Sequence, residues 1–107
     1  MEKIYIADYG IEKIKENARP KIDEIANDAN WHKTPFDSTI WVESGKYTNI
    51  EDAKNHLKDS IRKTIETKCK VSEKCDYKIS ILIMHVNKHE VMGEKDEKIC
   101  FGPVFIR

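Results

Sequence analysis

Apolar and polar positions change period several times along this chain, and each change marks a new element. Residues 2–8 alternate, with Ile4 and Ile6 on one face and Tyr5 and Ala7 on the other, which predicts a short strand. Tyr9-Gly10 breaks that alternation. From Ile11 the spacing turns helical, with Ile11, Ile14, Ala18, Ile22, Ile25 and Ala29 in one stripe. Pro20 interrupts the stripe, and a proline inside a helix costs ~3 kcal/mol because it removes a hydrogen bond and crowds the preceding turn. Either one helix is kinked with Pro20 on its outer face, or two short helices follow each other, the second opening at Pro20 as a first-turn residue. The unbroken stripe favours the kinked helix.

Residues 30–37 carry Trp31, His32, Pro35 and Phe36 and read as an ordered loop with aromatic anchors. Ser38 to Glu43, with Thr39-Ile40-Trp41-Val42, is rich in strand formers. After Ser44-Gly45, the stretch Tyr47–Cys69 contains neither Gly nor Pro and places Ile50, Ala53, Leu57, Ile61, Ile65 and Cys69 in a single stripe. That is an amphipathic helix, with Thr48 and Glu51 in the spacing of a capping box. Tyr77 to Asn87 is apolar on both faces, Ile79, Ile81, Ile83 and His85 against Leu82, Met84 and Val86, as a strand buried on both sides would be. Residues 98–107 read as a last strand, with Pro103 placing it at an edge or bulge.

The resulting order is β-α-β-α-β-β in a single α+β domain spanning residues 1–107. A four-stranded sheet carries two amphipathic helices on one face. That arrangement leaves Leu82, Met84, Val86, Val104 and Ile106 without cover. An apolar sheet face of this kind usually marks an interface, so a homodimer is expected.

Composition narrows the function classes. The 107 residues include 19 basic and 19 acidic side chains, and this neutrality argues against a general polyanion binder. No apolar run approaches the roughly 20 residues that span a bilayer, and residues 1–8 lack the pattern of a secretory signal. Three cysteines are an odd count for a disulfide framework, so a reduced, cytoplasmic protein is expected, with Cys69 and Cys100 as small buried apolar residues.

Candidate chemistry is sparse. Cys69 and Cys75 lack the spacing of a zinc knuckle, and His85 and His89 stand on or beyond a strand, where four residues span roughly 13 Å; no metal and no cofactor is expected. Asp8 and Asp37 would approach each other if their strands are neighbours, as acid–base work would require, but nothing else supports a catalytic pair. Four unclustered glycines give no phosphate loop. No catalytic residue is assigned.

Two surface features remain. Lys54, Lys58 and Arg62 recur every fourth residue opposite the core stripe, with Lys63 beside them. Residues 54–78 hold eight basic and four acidic side chains, a net +4. Such a row would suit phosphates, although Asp59 and Glu66 interrupt it and a charged helix face is usually only solvated. Trp31, His32, Phe36, Trp41 and Tyr47 cluster near one loop, as a partner- or ligand-binding rim would, or as the plug of a small core. The expectation is a non-enzymatic binding protein acting by protein or small-ligand contact, of inhibitor, immunity or phage/plasmid accessory type. The alternatives are a nucleic-acid-binding accessory protein using the basic row and, behind it, a small nucleotide-handling enzyme.

Overall fold

The first strand does not stop at Asp8. In the computed structural model, which describes residues 2–69 and 75–92, β1 runs from Lys3 to Glu12 and passes straight through Tyr9-Gly10. Gly10 stays in the ladder opposite Ser80, and a Cβ there would meet the Ser80 hydroxyl at 3.0 Å. Close approach between strands, rather than a turn, is what this glycine serves.

The kinked helix over 11–29 is therefore corrected. Ile11 belongs to β1, Lys13 turns the chain with φ 62°, and residues Glu16–Ala18 form a single 3-10 turn. Arg19 is extended (ψ 119°), as the residue before a proline must be, because the proline ring excludes the helical region there. Helix α1 begins only at Ile22 and ends at Ala29, with Asn30 in the left-handed region closing it. The division into two segments is thus the better description, with Pro20 outside α1 and buried. Apolar residues three or four apart occur here in a strand end, a turn and a short helix that face the same core.

Four strands build one antiparallel sheet in the order β2-β3-β1-β4. β2 is His32–Lys33, a two-residue strand inside the segment read as a loop; β3 is Thr39–Glu43 and β4 is Lys78–Asn87. The fourth strand expected at 98–107 lies outside the described residues, as do Val104 and Ile106. Helix α2, Ile50–Lys68, is capped one residue later than expected: the Asn49 side chain accepts the Asp52 amide at 2.9 Å, so Thr48 and Glu51 do not form the box.

α1 and α2 cover one face together. Ile25, Ala26 and Ala29 join Ala53, Leu57, Ile61 and Ile65 over Tyr5, Ala7, Ile11, Ile40 and Val42. Along the seam between the helices, Ser60 donates to Asp28 at 2.6 Å, and Lys63 and Lys68 pair with Asp28 and Glu24 at 3.2 and 2.9 Å. On the opposite face Ile4, Ile6 and Trp41 are buried with Val91 of α3, Lys88–Met92, while Met84 and Val86 are only partly covered.

Cys69 and Cys75 are joined by a disulfide that ties the end of α2 to the approach to β4. The readings of Cys69 as a free apolar residue and of the chain as fully reduced are thereby corrected. An odd cysteine count does not bar one bridge from forming between two of the three. Closing a loop this short restricts the unfolded chain by about 2 kcal/mol. The Cys69→Ser, Cys75→Ser pair should lower unfolding stability by about that amount in urea titrations, whereas Leu57→Ala in the core should cost about 2–5 kcal/mol.

Candidate binding surface

The aromatic residues singled out by the sequence do not form one rim. Trp31 is buried in the helix-covered core, where its indole N–H donates to the Tyr47 hydroxyl at 2.8 Å, and that hydroxyl also meets His56 Nδ1. Trp41 is buried on the other face. His32 stacks on its ring at 4.2 Å between centroids, and the Lys88 ammonium lies 5.2 Å above it. His32 Nε2 also contacts Glu43 Oε1 at 3.2 Å, while Glu43 Oε2 is buried without a partner among the described residues. Phe36, 52% exposed, and His32, whose side chain is 50% exposed, are the two of this set that reach well into solvent.

The basic row is partly engaged. Arg62 pairs with Asp59 at 3.0 Å and Lys63 with Asp28, so Lys63 works in the helix seam. Lys58 is exposed and Lys54 half-buried. What was a continuous stripe on a helical wheel is two cations and two local ion pairs.

A different region draws several features together: the end of the sheet where β1 outruns β3. β1 pairs with β4 over all ten residues, Lys3 to Glu12, but with β3 only from Ile4 to Asp8. There Ser38 donates to Asp8 at 2.6 Å and the Tyr9 amide donates to the Ser38 carbonyl at 3.0 Å. Beyond this point a cleft of about 740 Å³ opens, walled by Tyr9–Glu12, Glu16, Arg19–Ile22, Asp37 and Ser38. Arg19 reaches across it, its Nη1 donating to the Ile11 carbonyl at 3.0 Å while Nε pairs with Glu16 at 3.2 Å.

Asp8 and Asp37 do belong to one neighbourhood, as the strand order requires, and both act on Tyr9. Burial first, then the charges of Asp8 and Asp37, push the Tyr9 phenol up to about 12. It stays protonated at neutral pH. On the second sheet face beside it, Leu82 lies opposite Asp8 and is 55% exposed. Phe36 sits on the turn that leads into Thr39, itself opposite Asp8. Thr34 holds that turn by accepting the Phe36 amide and donating to the Thr39 carbonyl.

Sequence reasoning missed the cleft because it ended β1 at Asp8, which would have matched β3 in length. The signal was present in β4, whose ten-residue run asks for a partner of equal length. Among the described residues no group of three His, Cys, Asp or Glu side chains is placed to hold a metal. None of the described helices is long and apolar enough to cross a membrane. No protein-family model matches the chain, and no curated protein or solved structure matches it either.

Two carboxyls of the helix seam titrate below their ordinary range: Asp28 through the Ser60 hydroxyl and then Lys63, and Glu24 through the Lys21 amide and then Lys68. A depressed folded-state value means that their contribution is present above the unfolded carboxyl range and is lost as pH falls through the folded one. Unfolding stability should accordingly decline on acidification below about pH 4. Asp28→Asn should make that decline shallower, as read by urea midpoints against pH.

Proposed function

We propose that this is a small non-catalytic binding protein that acts by protein contact at the end of the sheet where β1 outruns β3. The observation that carries the reading is two large exposed side chains near this end of the sheet, Leu82 opposite Asp8 and Phe36 two residues before Ser38. Exposed apolar groups set among polar ones are the usual make-up of a protein-binding patch. Inhibitor, immunity or accessory roles in the cytoplasm all use such contacts. A second copy through the same sheet face is the homodimeric form of this reading. The row of Lys54 and Lys58 is the weaker one, since Arg62 and Lys63 are drawn into ion pairs.

The test is capture from the native host with the wild type and with Phe36→Ser, Leu82→Lys, the fold of each checked by circular dichroism. A partner retained by the wild type should fall at least tenfold with the double variant. A partner held equally by both would overturn the assignment of this surface. Sedimentation that finds only monomer at tens of micromolar would remove the homodimer, and loss of low-salt DNA binding in Lys54→Glu, Lys58→Glu would favour the basic row instead.

A further inference from the structure

We propose that the bare edge of β1 at Tyr9–Glu12 is a strand-addition site, which takes an extended segment of a partner protein carrying apolar and basic residues. This deepens the protein-contact reading and rests on it. The argument starts from hydrogen-bond parity. In an antiparallel ladder each residue directs its amide and carbonyl to the same neighbour. The Tyr9 amide donates to Ser38 and the Ile11 carbonyl accepts from Arg19, so the odd residues of β1 face the β3 side. The Tyr9 carbonyl thus faces Ser38, while the Ile11 amide points past it into the cleft, and among the described residues no strand lies opposite Ile11.

Arg19 occupies the place that a neighbouring strand's amide would take at Ile11. A side chain 41% exposed and anchored to Glu16 is a replaceable donor, and an incoming backbone N–H offers the same bond. The room matches the need. Four residues of strand run about 13 Å, and the cleft is lined by the four β1 residues Tyr9 to Glu12, with Ser38 of the β3 side at its Tyr9 end. Such an added strand would draw affinity from main-chain bonds and specificity from alternate side chains.

The walls set those side chains. Tyr9, Ile11, Pro20 and Ile22 line the side next to the helix-covered core, so the residue set opposite Ile11 is apolar. The charged wall holds three carboxylates, Glu12, Glu16 and Asp37, against two cations, Arg19 and Lys21; Arg19 and Glu16 pair with each other, which leaves a net charge of −1. Asp37 of this wall also adds to the raising of the Tyr9 phenol, after burial and Asp8, and the wall is negative to that small extent. A Lys or Arg on the segment satisfies it. A second copy is the poorer occupant: its β4 edge is ten residues long, whereas the notch is closed by Ser38 at one end and is roofed by residues 19–22.

The probe is a displayed library of random eight-residue peptides, selected on the intact oxidised protein, with amide exchange then read residue by residue. The expected result is selection of peptides that alternate apolar and basic residues, and binding slows exchange at the Ile11 amide at least tenfold. Arg19→Ala, which removes the competing donor, should tighten those peptides by about two- to tenfold. Peptides that bind with Ile11 exchange unchanged and are lost with Phe36→Ser, Leu82→Lys would overturn the strand site and leave the protein-contact reading standing. An Ile11 amide already protected in the free monomer would assign the edge to the chain's own remaining residues, and one protected only in a dimer would assign it to a second copy; each overturns the proposal. Selection of no peptide overturns it as well, and if host capture is also empty the broader reading fails with it.

Discussion

β1 and β4 are locked in antiparallel register over ten residues, and side chains alternate along each, so a slip of β1 by one position would exchange its two faces. Tyr5, Ala7 and Ile11 would leave the helix-covered core, and Ile4 and Ile6 would enter it. Every other element takes its place from this ladder. β3 adds to the far side of β1 with its own alternation in phase, Ile40 and Val42 toward the helices and Trp41 away. α2 then lays four apolar residues, Ala53 to Ile65, across the face that the ladder defines.

The helices contribute differently from the sheet. Their apolar residues supply burial, while the polar seam between them fixes how they sit against one another through Asp28, Ser60, Lys63, Glu24 and Lys68. Surface ion pairs are individually weak, but the hydroxyl-to-carboxylate bond of Ser60 and Asp28 is directional and its Ser60 end is buried. Cations that a helical wheel displays as an open row are in part committed to this seam.

How much of this was legible followed from how local the cause was. The α+β class, the long helix, β3 and β4 were readable, the helix from its period and the strands from their strand-forming residues. β4, expected to be buried on both faces, nevertheless has no fully buried residue and lies at the edge of the described sheet. The continuation of β1 was not, since Gly10 mimics a turn in sequence, and its reason for being there is Ser80, seventy residues away. The stripe from Ile11 to Ala29 misled for a related reason: three unlike pieces of backbone present their apolar residues to one core. β2 escaped because two residues carry no periodicity. The disulfide escaped because pairing depends on where α2 ends relative to β4. Of the candidate binding residues, Phe36 is where an exposed contact residue would stand, while Trp31, Trp41 and Tyr47 turned out to be packing groups that composition alone could not separate from a binding rim.

The Tyr47 hydroxyl joins a buried indole to an exposed imidazole. It receives the indole proton of Trp31, and its own proton is then free to go to Nδ1 of His56, which puts the remaining imidazole proton of a neutral ring on Nε2. One hydroxyl thus links a core indole to a surface imidazole, so the packing of Trp31 and the placement of His56 are fixed by the same oxygen.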